Sequence, residues 1–232
     1  MAKKPAAAAP AKSADPRRGV VEALMALAAR QPFDTITLSD ISREAGVSLA
    51  DLRDLFPSKG AILGGLFRII DRQVLDGTAD DMAAESAHDR VLDVMLRRFD
   101  ALAPYREGMR SVWRAVRTDP VMALALNQTA LNSWRFMLES AGIETSGNLG
   151  SIRVQGAVLV FSRAFDAWLD DEPDLARTMA VLDRELKRGE QVLGFATSLH
   201  NLTAPLRGLA RSLCERRRSR PSADSEHHNP AM

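Results

Sequence analysis

Apolar residues recur every three or four positions along most of the chain: Val20, Leu24 and Leu27 in an early segment, and Val91, Val94, Met95 and Phe99 further on. No stretch alternates apolar with polar positions as a half-buried strand would, so the pattern predicts an all-α fold. Punctuation residues place the helices. Asp15-Pro16, a capping residue followed by proline at the first helical position, opens a helix that Gln31-Pro32 closes. Thr37 with Asp40 has the form of a capping box for a second helix ending at Gly46, and Ser48 with Asp51 repeats it for a short third helix that stops before Pro57. A fourth runs from Ser58 to about Gly77. Later signals bracket Asp119-Pro120 to Gly142, Gly147 to Asp170, and Pro173 to near Gly189, about nine helices in all. Residues 1–16 and the tail from Arg220 carry Ala, Pro, Ser and charge without periodicity and read as disordered.

Composition narrows the class. With 232 residues, of which 46% are hydrophobic, the chain can build substantial cores, while a net charge of +1 gives no bulk attraction to nucleic acid or acidic lipid. An electrostatic partner must therefore be met by a local patch. The single cysteine, Cys214, forms no internal disulfide and fits a reducing compartment, which makes a cytoplasmic location the expectation. No apolar run approaches the roughly 20 residues that span a bilayer. His88 and His200 are isolated and His227 and His228 lie in the tail, so neither a nucleophile-base pair nor a metal cluster emerges; the sequence predicts no enzyme, no cofactor and no metal.

Ala45-Gly46-Val47-Ser48, between the second and third short helices, has the spacing of a helix-turn-helix, with glycine free to adopt the positive φ of the turn. The surrounding residues are more specific. Phe33-Asp34-Thr35-Ile36-Thr37-Leu38-Ser39-Asp40-Ile41, Glu44 to Ser48, Leu52, Phe56-Pro57-Ser58-Lys59 and Leu63 resemble the DNA-binding domain of the TetR family of bacterial repressors over residues 17–66. The resemblance implies that the helix after the turn enters the major groove of a double-stranded DNA operator. It nominates Ser48, Leu49, Ala50, Arg53 and Asp54 as reading residues, and Thr37 and Lys59 as phosphate contacts. Leu38, Ile41, Leu52, Phe56 and Leu63 would form the core of this head. The chain departs from the family where a Gly-Thr pair and an aromatic are usual: it has Ala50-Asp51, then Arg53 and Asp54. From Arg17 to Gly60 six basic residues face six acidic ones, although Asp40 and Asp51 sit at capping positions.

From His88 to Gly194, Trp113, Trp134, Phe136, Met137, Phe161, Phe165 and Trp168 fall on successive predicted helices. Either they all fill a core, or a subset (Trp113, Trp134, Met137, Phe161, Phe165 and Trp168) lines a hydrophobic pocket for a small molecule or lipid. The TetR resemblance implies such a pocket for an inducer, and a homodimer formed by the helices at Gly147–Asp170 and Pro173–Gly189. A second resemblance concerns this half alone. Phe99 to Leu102, Arg163 to Asp171, Asp174-Leu175, Thr178 and Leu182-Asp183-Arg184 are similar to the coenzyme Q biosynthesis accessory family, which shares the fold, has lost DNA binding and holds lipids or isoprenoids. The segments expected are a disordered arm (1–16), a DNA-binding head (17–77), a ligand-binding and dimerisation domain (78–194), a basic amphipathic helix (195–219) able to touch a membrane surface, and a disordered tail (220–232). The leading reading is a ligand-released transcriptional regulator; the rival is a lipid-binding accessory protein.

Overall fold

A computed structural model describes residues 15–77, 84–172 and 174–191. The chain divides into two units, residues 1–187 and 188–232, and of the second only 188–191 are described; they are helical. The arm with Lys3, Lys4 and Lys12, the helix expected at 195–219, Cys214 and the tail all lie outside the described residues.

The described part of the first unit is helical throughout, with no strand. Helix α1 (Pro16–Ala28) begins as expected: the Asp15 carboxylate accepts from Arg17 N–H at 2.9 Å, and proline occupies the first position. It ends three residues earlier than its closing proline suggests, and a 3-10 turn, Phe33–Thr35, follows. Then come α2 (Leu38–Ala45), α3 (Leu49–Leu55), α4 (Lys59–Asp76), α5 (Ala87–Leu102), α6 (Arg106–Thr118), α7 (Pro120–Ser140) and α8 (Gly147–Leu169). Both expected capping boxes form, Thr37 with Asp40 and Ser48 with Asp51, each satisfying N–H groups that a helix start leaves open. Asp119 caps α7 by accepting from Val121 and Met122 N–H. The last helix of the unit, α9 (176–187), starts at 176 rather than 173, because Leu175 takes a left-handed φ of 55° just before it.

One continuous core joins these helices. Helix α1 buries Val20, Val21, Leu24 and Met25 against Ile41 of α2, Leu52 of α3 and the start of α4, where Ile62, Leu63, Leu66 and Ile70 face inward. Helix α4 continues past this head and packs on α5 and α7. Helix α6 crosses α1 so tightly that a Cβ on Gly108 would stand 2.7 Å from the Met25 carbonyl oxygen; only glycine permits that approach. Beyond it lies an aromatic cluster: Phe99 stacks on Phe161 at 4.4 Å, Trp134 meets Phe161 at 5.1 Å, and Trp113 meets Phe165 at 5.1 Å. Leu38, expected in the core, is 45% exposed. As the first residue of α2 it precedes the buried stripe, which Ile41 and Ser42 carry.

Candidate nucleic-acid interface and interior cavity

The turn between α2 and α3 is built from two local devices. Gly46 ends α2 in the left-handed region at φ 66°, ψ 32°, and the Gly46 and Val47 N–H groups return to the carbonyls of Arg43 and Ser42. Ser42 Oγ adds a bond to the Val47 carbonyl at 2.6 Å, tying the turn from inside. Ser48 then accepts from Asp51 N–H at 3.0 Å and starts α3. Leu52 anchors this helix in the core, while Ser48, Leu49, Ala50, Asp51, Arg53 and Asp54 are exposed. Leu49, a large apolar side chain, is 52% exposed. The helix after the turn is thus formed and open to a partner.

The nominated residues divide by role. Ser48, Leu49, Ala50, Arg53 and Asp54 share α3, and Arg53 is its one basic residue; Arg53 Nη1 also bonds the Pro57 carbonyl at 3.0 Å, closing the end of the helix. Thr37 is exposed at the start of α2, where its hydroxyl and N–H, in that order of effect, hold the Asp40 carboxyl below its ordinary range. Lys59 points differently from the expectation. Its ammonium donates to the Phe33 and Ile36 carbonyls at 2.7 and 2.9 Å and lies 4.4 Å over the Phe33 ring. Partial burial lowers its pKa, with Asp34 opposing the shift. Lys59 therefore clamps the 3-10 turn to α4, with two of its three donors engaged. The acids and bases of this head largely neutralise each other at close range, Arg30 with Glu44 at 2.5 Å, Arg18 with Glu22 at 2.8 Å and Arg43 with Asp40 at 3.4 Å.

A partly open cavity of about 260 Å³ lies among α4 to α8. Of the nominated aromatics, Trp113, Trp134, Phe161 and Phe165 line it, together with Phe67, Leu102, Met109 and Val112. Met137 and Trp168 do not; both are fully buried in the surrounding core. A shared helix fixes how often a face recurs, but which face meets the void depends on the neighbouring helices. The Trp168 indole N–H is buried with no partner among the described residues, and the Arg106 guanidinium lies 4.6 Å over its ring.

Sequence reasoning missed the polar member of this wall. Arg98 is only 3% exposed; it pairs with Asp71 of α4 at 2.5 Å, and Ser133 of α7 donates to the same carboxylate oxygen at 2.6 Å. The signal was present: Arg98 follows Val91, Val94 and Met95 by seven, four and three positions, so it falls on the apolar stripe of α5.

Outside, α8 presents Ile152 and Leu159 and α9 presents Met179, all exposed, while α7 exposes Val121, Leu124 and Phe136. Among the described residues no helix is long and apolar enough to cross a membrane, and no cluster of three or more metal-ligating side chains occurs.

No protein-family model and no curated protein matches the chain. Solved structures do. A TetR transcriptional regulator from Nitrosomonas europaea superposes with a TM-score of 0.59 at 20% identity, covering 75% of this chain and 98% of its own. Another, from Rhodococcus sp. RHA1, gives a TM-score of 0.53 at 20% identity over 75% of this chain and 95% of its own. At such identity the likeness is one of fold: the described residues share the all-helical fold of these TetR regulators, with no strand.

Proposed function

We propose that the chain is a homodimeric transcriptional regulator that reads a DNA operator through α3 and releases it when a mainly apolar small molecule fills the cavity. The observation that carries this reading is the exposed α3 itself: a helix set off by a left-handed Gly46 turn, anchored through Leu52, with Leu49, Ala50, Arg53 and Asp54 turned outward. Such a helix matches the dimensions of the major groove, where Arg53 can meet a guanine edge or a phosphate and the Leu49 and Ala50 side chains a thymine methyl. In this reading the exposed Thr37 contacts a flanking phosphate, and Lys59, two of whose donors hold the Phe33 and Ile36 carbonyls, adds at most its third. With the head close to electroneutral, its affinity rests more on shape and base contacts than on counterion release.

Helices α8 and α9 supply the dimer face in this reading. Ile152 and Leu159 lie seven residues apart on one side of α8, with Met179 exposed on α9, and a second copy would cover them as a four-helix bundle. Ligand control follows from the position of α4, which lines the cavity with Leu63 and Phe67 and begins at the reading head. A ligand that favours one placement of α4 alters the spacing of the two reading heads, and the operator reciprocally alters ligand affinity.

The test is a gel shift with the DNA upstream of the chain's own gene. Sequence-specific retardation that weakens with salt, and is lost in Arg53→Ala, supports the regulator. Absence of retardation at low salt overturns it.

A further inference from the structure

Besides the indoles of Trp113, which donates to Asp166 at 2.6 Å, and Trp134, the wall of the cavity is apolar but for three side chains, Arg98, Asn127 and Ser162. Asn127 and Ser162 each have a donor engaged. Asn127 and Gln155 exchange amide hydrogen bonds at 3.3 and 3.4 Å, and the Ser162 hydroxyl donates to the Val158 carbonyl at 2.7 Å. Arg98 is different. One of its nitrogens, Nη1, bonds Asp71, and no other described acceptor takes its remaining N–H groups. Its guanidinium sits 5.5 to 5.7 Å from the centres of Phe67, Trp134 and Phe161, three rings that themselves line the cavity. A guanidinium offers its donors in a fixed planar fork, so the nitrogens that Asp71 leaves can meet an acceptor in the plane.

Charge decides what kind of acceptor fits. Asp71 already neutralises Arg98, and no second Lys, Arg or His lines the cavity among the described residues. A ligand carboxylate would place a second anion beside Asp71 against a mainly apolar wall with one cation to share, which disfavours its charged form. A neutral oxygen acceptor satisfies the open N–H groups without that penalty. Size sets the remainder: an apolar cavity of about 150 Å³ suffices for benzene, so 260 Å³ admits a ring with a short chain, or a chain alone.

We propose that the cavity takes an uncharged, mainly apolar molecule bearing a single carbonyl-type acceptor, held by the N–H donors of Arg98 that Asp71 leaves open. This rests on the reading of the cavity as a ligand site. The same contact has a second consequence, because Arg98 on α5 is the partner of Asp71 on α4: a carbonyl on the open donors is linked through Arg98 to the helix that leads to the reading head.

The test uses the full chain and three probes of matched size and shape: 4-phenyl-2-butanone, isopentylbenzene and 3-phenylpropanoate at neutral pH. Binding is read by quenching of Trp113 and Trp134 in the cavity wall and by calorimetry. The ketone is expected to bind about tenfold more tightly than the hydrocarbon, as a hydrogen bond to a charged donor allows, and the carboxylate more weakly than the ketone. In the double variant Arg98→Met with Asp71→Asn, which removes both charges together, the hydrocarbon should bind as before and the ketone should lose its advantage. Equal binding of ketone and hydrocarbon to the native chain, or tightest binding by the carboxylate, overturns the proposal while leaving the cavity a ligand site. Binding by none of the three overturns the cavity reading itself. Should the double variant fail to fold, the ranking on the native chain decides alone.

Discussion

Replacing Gly46 by alanine isolates the backbone geometry on which the α2–α3 turn depends. Gly46 holds φ at 66°, and a Cβ built there meets nothing within 4 Å, so packing contributes no penalty. What remains is the left-handed conformation, which costs an L-residue about 1 to 2 kcal/mol, less about 0.4 to 1 kcal/mol recovered from the stiffer unfolded chain. The expected net loss is about 1 kcal/mol. Gly64 is the matched control: it lies inside α4, its Cβ would meet only Thr129 Cγ2 at an ordinary 3.8 Å, and its φ is not left-handed. There the same substitution should stabilise by up to about 1 kcal/mol, through helix propensity alone. Urea unfolding of the native chain, Gly46→Ala, Gly46→Asn and Gly64→Ala gives the comparison, with unchanged m-values required for the differences to be read as stability. Asparagine, which tolerates the left-handed region, should lose less than alanine at position 46. If Gly46→Ala proves as stable as the native chain, or Gly64→Ala loses as much, the turn is not held as described.

Lys59→Met should cost about 1 kcal/mol by leaving the Phe33 and Ile36 carbonyls to water, whereas Arg53→Ala should leave the urea midpoint nearly unchanged and abolish operator retardation; an equal effect of both on stability would contradict the division of roles. If the chain pairs through α8 and α9 as proposed, the native protein should sediment as a dimer and Ile152→Glu together with Leu159→Glu as a monomer of unchanged helicity; a native monomer, or a variant that still sediments as a dimer, would contradict that face. The Asp40 carboxyl has its folded pKa below its ordinary 3.8, so its contribution to α2 is complete above that value and lost as pH falls through the lower folded one. The acid-induced loss of amide protection in α2 should accordingly be absent from Asp40→Asn, and an identical acid profile in that variant would show that another group governs the step.

Helix starts were legible because their chemistry is local. Thr37 with Asp40, Ser48 with Asp51 and Asp119 before Pro120 each cap the helix that they announce, and Gly46 takes the positive φ that its position between two short helices demands. Where partners come from elsewhere in the chain, sequence could not supply them. No local spacing links Lys59 to the Phe33 and Ile36 carbonyls; it reaches 26 and 23 residues back, and only the fold brings the start of α4 to the 3-10 turn. Trp134 lines the cavity while Met137, one turn later on α7, is core, a distinction drawn by Phe161 and Arg98 on other helices. Leu38 was misplaced because helical periodicity is poorly defined at a first position, before the stripe of α2 has been set by Ile41. Arg98 was recoverable: a charge on an apolar stripe needs a partner, and Asp71 lies on a similar stripe of α4, four residues after Phe67.

Photocrosslinking from α3 interrogates DNA reading most directly. With a benzophenone amino acid placed at Leu49, and separately at the still more exposed Phe136 of α7, the full chain would be irradiated with the duplex upstream of its own gene. A covalent adduct from position 49, competed away by the same duplex but not by unrelated DNA, and none from position 136, is the predicted result. No adduct from position 49, or the same yield from both positions, would mean that α3 does not enter the groove.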